Sequence, residues 1–258
     1  MKIRPTLLHQ VRHRFEQVRF AAMSTSQSAE VWSKTFRQAL LPYERAIVDG
    51  RLFSEMASGE LPTGVFRYAL KNFYPLIESF PKLMGLCLAK TAASETGAEA
   101  SGWLIHNIQI ERRHANWFRD WAIGFGVNAQ DFIDGVSPPP VMDALNHYLW
   151  RKCTYGDLVE AVPSLNYAIE GPTGIWTKRV MHNIDLYNGR DGMVVDNDTV
   201  RWLRAHAHYD DHHPDEALEV TLMHVTSEHD LNRAIKAAQD GMAYYAMAAD
   251  ACYELGNA

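Results

Sequence analysis

The chain has 258 residues, 47% of them hydrophobic and 22% charged, which fits one large or two small globular domains with a sizeable core. Its 31 acidic and 25 basic side chains leave a net charge of −6. That balance excludes nucleic acid as the main partner, because no basic excess is present to neutralise phosphates. The three cysteines, Cys87, Cys153 and Cys252, lie far apart and form no C-x-x-C pair; they read as reduced core residues of a cytoplasmic protein. No apolar run reaches the roughly 18–20 residues of a membrane span, and the basic, amphipathic N-terminus lacks the continuous apolar stretch of a signal peptide.

Taken in order, residues 5–22 carry apolar side chains at helical spacing and predict a short peripheral helix. With it the organisation expected is a peripheral segment over 1–24 and one helical domain over 25–258. The polar stretch 24–30 is a break, and the next helix runs to about residue 49. A long apolar helix is expected over 65–91, kinked or split by Pro75 and Pro81. Glu78 lies between those prolines among Leu76, Ile77 and Phe80; it is either a surface residue or a buried one with a partner, since a lone buried charge is very costly. TGAEAS (96–101) reads as a break, followed by a helix over 102–124. VSPPP (136–140) is a rigid break before a helix over 141–153. Over 155–187, helical spacing leads to Glu170 immediately before Gly171-Pro172-Thr173-Gly174. The glycines and proline there predict either a break that re-aims Glu170 inward or a plain helix end. A helix over 197–213 follows, then one opened by Pro214 with Asp215 and Glu216 in its first turn, where acid suits the dipole, and a closing amphipathic helix over 231–255. No repeat and no strand series is evident, so the fold class expected is all-α, a single helical bundle.

Two spacings carry chemistry. Glu111 and His114 form E-x-x-H, three apart on one helical face, the arrangement used in carboxylate-bridged di-iron bundles. His206, Asp210 and His213 stand at i, i+4 and i+7 and share a face if their helix is continuous. Mixed imidazole and carboxylate donors suit iron(II), manganese or zinc better than calcium or magnesium. The bland alternative for 201–219 is a solvated, histidine-rich helix end. With Glu78 and Glu170 the candidates number four carboxylates and three histidines, enough for two metals or for one firm and one weaker site.

LIHNIQIERRH, SLNYAIEGPTGIW and HAHYDDHHPDEALE together resemble the haem-oxygenase-like di-metal oxidases, and within them most nearly the fatty-acid oxidative decarboxylases that form medium-chain terminal alkenes. The resemblance runs over about 66–225. It implies a seven-helix haem-oxygenase-like bundle of the TenA and PqqC type with peripheral helices. It also implies Glu111, His114 and His206 as the catalytic ligands of a firmly bound Fe(II), and Glu78, Glu170, Asp210 and His213 as ligands of a second, more labile iron. Dioxygen would be the co-substrate and a medium-chain carboxylic acid the substrate, losing CO2 to leave a terminal alkene. Phe73, Ile77, Tyr167 and Ile169 are the apolar residues placed to bind its chain, although core packing is the commoner role for such residues.

Three rivals stand beside that reading: the same chemistry on an amino acid or amine, a metal-free TenA-like or PqqC-like enzyme, and a non-enzymatic interaction module. A thiaminase-like enzyme would need an activated cysteine, which no neighbour in the sequence supplies. The chain alone leaves open a homodimer, the electron donor and the substrate length.

Overall fold

The structure, a computed structural model, describes residues 29–208 and 213–258. The expected helix over 5–22, and with it the segment boundary at residue 24, lies outside the described residues. Helix α1 covers 29–48. It is followed by α2 (Arg51–Ser58), α3 (Thr63–Leu88), α4 (Glu95–Gly124), α5 (Ala129–Asp134), α6 (Pro140–Tyr155), α7 (Leu158–Val162), a π-helical turn (Pro163–Tyr167) and α8 (Ala168–Asn183). Two short 3-10 turns then lead to α9 (Arg201–His208), α10 (His213–Met223) and α11 (Glu228–Gly256). Among the described residues there is no strand, as the periodicity predicts. Contacts divide the chain into two compact units, Met1–Ala39 and Leu40–Ala258; every element of the site belongs to the second.

Of the two outcomes expected, a kinked or a split helix, the split does not occur: α3 is a single helix through both Pro75 and Pro81. Each internal proline opposes a helix by about 3 kcal/mol. Phe66, Leu70, Leu76, Phe80, Leu83 and Met84 on the same helix are buried, each contributing about 1.5–3 kcal/mol. The sum of burial exceeds the two proline terms. Helix α4, which packs along α3, begins seven residues earlier than the small polar residues suggest. Ser94 caps it by accepting a hydrogen bond from the Gly97 N–H at 3.1 Å. Gly97 is needed there: a Cβ would lie 2.0 Å from the Ala92 carbonyl oxygen.

The expected break at Gly171–Gly174 is absent, since α8 runs through it. The irregularity falls one turn earlier, in the π-helical turn, where the Ala168 N–H reaches back to the Pro163 carbonyl. One extra residue in the turn re-phases everything after it, including Glu170, which is why such turns often accompany functional sites. Helix α11 packs closely on this turn. A Cβ on Gly241 would come within 3.0 Å of the Ser164 carbonyl oxygen and 3.2 Å of the Ala168 Cβ. At the centre, Trp121 of α4 and Trp202 of α9 stack at 5.5 Å, with Phe66 and Phe118 edge-on to Trp121. No helix among the described residues is long and apolar enough to cross a membrane.

All three cysteines are buried and free. Burial pushes the Cys252 thiol up to about 12, and the hydrogen bond with Cys87, followed by burial, raises that of Cys153. Thiolate is the reactive form, which slows Cys153 and Cys252, and burial shields all three side chains, so an alkylating reagent at pH 8 is expected to leave them unmodified until the protein is unfolded. Rapid labelling of the native protein, counted by intact mass, would contradict this burial.

Candidate metal centre

Helix α4 sets Glu111 and His114 on one buried face, with 5% and 2% exposure. Glu111 Oε2 lies 3.1 Å from His114 Nδ1. The His114 ring packs against that of His206 on α9, the centroids 4.7 Å apart. His206 Nδ1–H donates to the Trp202 carbonyl oxygen at 2.9 Å, which fixes the tautomer and leaves Nε2 as the nitrogen with a lone pair. On α8, Glu170 accepts from Asn166 Nδ2 at 2.8 Å through Oε1, and its Oε2 stands 3.3 Å from His213 Nδ1, at the start of α10.

Burial alone would raise the Glu111 carboxyl. The charge of His114, its hydrogen bond, and the charges of His206 and His213 together overcome that and hold it below the usual carboxylate range. Glu111 is therefore ionised in a dry setting, and three imidazoles lie within electrostatic reach of it. Glu111, Glu170 and His206 also line one small cavity of about 20 Å³, whose other walls are Ile77, Phe80, Ile169, Thr173 and Trp202.

The structure thus brings together Glu111, His114, His206, Glu170 and His213. Glu78 is not among them: Leu76, Ser79 and Phe80 take the buried face of α3, leaving Glu78 exposed and paired with Lys82 at 3.5 Å. Asp210 lies outside the described residues, and the single helix expected over 197–213 is described only as α9 and α10. Among the described residues, no three of these side chains stand at the spacing that holds a metal ion; they pair instead, Glu111 with His114 and Glu170 with His213. The donor set nevertheless fits iron. Two carboxylates buried in one place, with the buried His114 and His206 and the partly buried His213 beside them, call for positive charge nearby, and nitrogen and oxygen donors in that ratio match a first-row transition metal. Sequence reasoning missed Asn166 and Trp202, which orient Glu170 and His206. Both precede their partner by four residues, the spacing that signals a neighbour on one helical face.

A second, larger cavity adjoins the first, sharing Ile77, Ile169, Thr173 and Trp202. Its volume is about 40 Å³, and Phe73, Leu76, Phe53 and Met56 are among its walls. Phe73, Ile77 and Ile169 are therefore placed where a ligand chain would meet them. Tyr167 is buried but is not among the lining residues. The polar groups of this wall bond to each other: Tyr245 Oη accepts from Trp176 Nε1 at 3.0 Å and lies 3.2 Å from Thr173 Oγ1. Burial pushes the Tyr245 hydroxyl up to about 12, so it stays neutral.

The model of a protein family described as iron-containing redox enzyme matches residues 67–246. Among solved structures, the chain is similar to a TenA homologue from Pseudomonas syringae pv. tomato, 27% identical, with 86% of this chain and 93% of that one covered at a TM-score of 0.79. It shares its fold with a protein of haem-oxygenase-like fold from Shewanella denitrificans, 15% identical over 86% and 92% of the two chains at a TM-score of 0.69. It shares it also with a TenA homologue from Pyrococcus furiosus, 15% identical over 86% and 99% at a TM-score of 0.68. The all-α haem-oxygenase-like bundle expected from the sequence is the fold observed. No curated protein matches the chain.

Proposed function

We propose that this chain, which belongs to the haem-oxygenase-like family of iron-containing redox enzymes, is a non-haem iron oxidase that uses dioxygen to decarboxylate a medium-chain fatty acid to a terminal alkene. One observation carries the substrate side: an almost wholly apolar cavity lies against the cavity that Glu111, Glu170 and His206 line, with Ile77, Ile169, Thr173 and Trp202 as shared walls. Glu111, His114 and His206 would hold a first iron, and Glu170 and His213, with Asp210, a second. Iron bound there would supply, with dioxygen, the oxidising power for removing hydrogen from the carbon β to the carboxyl group.

The remaining roles belong to the chain itself. Phe73, Ile77 and Ile169 present apolar surface to an acyl chain, whose burial is favourable by about 0.8 kcal/mol per CH2. An acyl chain seated there would point its carboxyl end toward the cavity of the carboxylates and imidazoles. Trp202 and Phe80 exclude water, so charge interactions inside are screened little. Asn166 holds the Glu170 carboxylate in one orientation, and the Trp202 carbonyl does the same for His206.

The amine reading is disfavoured because the larger cavity has no carboxylate in its wall to pair with an ammonium group. A thiaminase-like reaction is disfavoured because the Cys153 and Cys252 thiols are raised, not lowered, by their surroundings. The test is anaerobic loading with Fe(II), then oxygen with saturated acids of graded length, with headspace alkene and oxygen uptake followed together. Alkene one carbon shorter than the acid is the expected product. Oxygen uptake stimulated by an amine or amino acid instead, with no alkene from any acid, would overturn the substrate assignment.

A further inference from the structure

On the solvent side of the imidazoles lies another pocket, of about 340 Å³. Ile110, His114, Trp117, Arg201, Arg204 and His213 are among its walls. It shares no lining residue with either interior cavity. Its chemistry is of a different kind: two guanidinium groups, the half-buried ring of Trp117, and at the base two of the imidazoles of the centre. The Arg201 guanidinium stands 5.9 Å from the Trp117 ring centroid, and the Trp117 ring lies 5.2 Å from that of His114. Arg201 is ion-paired with Asp198, but the Asp198 side chain is 79% exposed, and ion pairs in water are weak. Arg204 donates to Asn197 Oδ1 at 2.9 Å.

The proposed reaction needs something that the interior cavities do not provide. Oxidative decarboxylation of R-CH2-CH2-COOH to R-CH=CH2 and CO2 releases two electrons and two protons, whereas reducing O2 to two waters takes four of each. The other two electrons and protons must come from a donor DH2, giving R-CH2-CH2-COOH + O2 + DH2 → R-CH=CH2 + CO2 + 2 H2O + D. The acid and the donor are oxidised and dioxygen is reduced.

We infer that the Arg201–Arg204–Trp117 pocket is the binding site of that donor, a planar, phosphate-bearing two-electron reductant of the reduced-flavin type. This rests on the oxidase reading above. Guanidinium forks match phosphate oxygens and form charge-assisted hydrogen bonds, and an indole face takes a flat ring. The pocket volume falls within the range of about 300–1,000 Å³ for small-molecule sites. The Trp117–His114 ring contact gives the electrons a packed path from the pocket to the buried cluster, and a donor held outside leaves the interior cavities free for the acid.

The probe is flavin mononucleotide, titrated into the metal-free protein and followed by quenching of flavin fluorescence. Saturable binding is expected, weakened by salt, weakened about tenfold or more in the Arg201→Gln/Arg204→Gln double variant, and unaffected by dodecanoic acid. The single Arg201→Gln variant, at a half-exposed position, serves if the double variant fails to fold, and is expected to weaken binding severalfold. In the iron-loaded protein, reduced flavin mononucleotide is expected to raise alkene above one per iron, with a lower turnover rate in the variants. No saturable binding to the wild type, binding indifferent to both arginines, or displacement of the flavin by dodecanoic acid would each overturn the proposal. Flavin binding without alkene from any acid would instead refute the decarboxylase reading and leave this pocket as an anionic-flavin site. Alkene in a single turnover without flavin binding would do the reverse.

Discussion

His206→Ala is expected to abolish stable iron binding while the protein keeps its helical content and a cooperative melt. His206 contributes one imidazole whose Nδ1 is committed to the Trp202 carbonyl, so its Nε2 is the nitrogen on offer, and alanine removes it without putting anything in its place. Loss of groups that merely orient ligands lowers metal affinity about 10–100-fold; loss of a ligand is expected to exceed that. Stability should fall by only about 1–3 kcal/mol, because the Trp202 carbonyl still receives the helical N–H of residue 206. His114→Ala is the harsher variant. It strips Glu111 of its largest compensating charge and its hydrogen bond, leaving only the weaker charges of His206 and His213, a loss of up to about 3–5 kcal/mol in the metal-free protein. Iron content after anaerobic loading and desalting, beside circular dichroism, separates the two effects. Wild-type iron content in a folded His206→Ala protein would remove this residue from the centre.

How much of this was legible in the chain depends on the kind of signal each residue sends. Glu111 and His114 could be read because both sit on one long helix, where a spacing of three fixes their common face regardless of what surrounds it. Helical spacing likewise identified most of the bundle. Gly97 misled, because small polar residues suggest a break, whereas here the absence of a side chain is what lets the first turn of α4 pass the Ala92 carbonyl. Gly171 and Pro172 misled in the opposite direction: the helix tolerates them, and the re-phasing that positions Glu170 comes from a π-helical turn at Pro163, which no local pattern announces. Glu78 had apolar neighbours in sequence, yet which side of α3 meets the core depends on how α4 lies against it, a tertiary fact. His213 stands at the first described residue of α10, and the residues between it and α9 lie outside those described. The i, i+7 spacing picked out a residue that lies 3.3 Å from Glu170, through a continuity that falls on residues outside those described.

Trp202→Ala is expected to damage both the fold and the centre, because this one side chain belongs to each. It is 2% exposed, stacked on Trp121, met edge-on by Phe118, and its ring lies 3.9 Å from that of His206, centroid to centroid. Truncating a buried tryptophan costs about 3–5 kcal/mol through lost transfer energy and the cavity left behind. For a chain of this size each kcal/mol lowers Tm by about 2–4 °C, so a fall of roughly 6–20 °C is expected in the metal-free protein. The vacated volume would also merge the two interior cavities, which share Trp202 as a wall, and release one side of the His206 ring. Trp202→Phe, which keeps an aromatic face against His206 and Trp121, is expected to retain most of the stability and most of the iron. A Tm shift below about 2 °C in Trp202→Ala, read by calorimetry, would mean that the tryptophan stack does not hold α9 against α4. Unchanged iron affinity in a destabilised Trp202→Ala protein would show instead that His206 is oriented by its backbone hydrogen bond alone. The alanine and phenylalanine variants together therefore separate packing of the helix from positioning of its ligand.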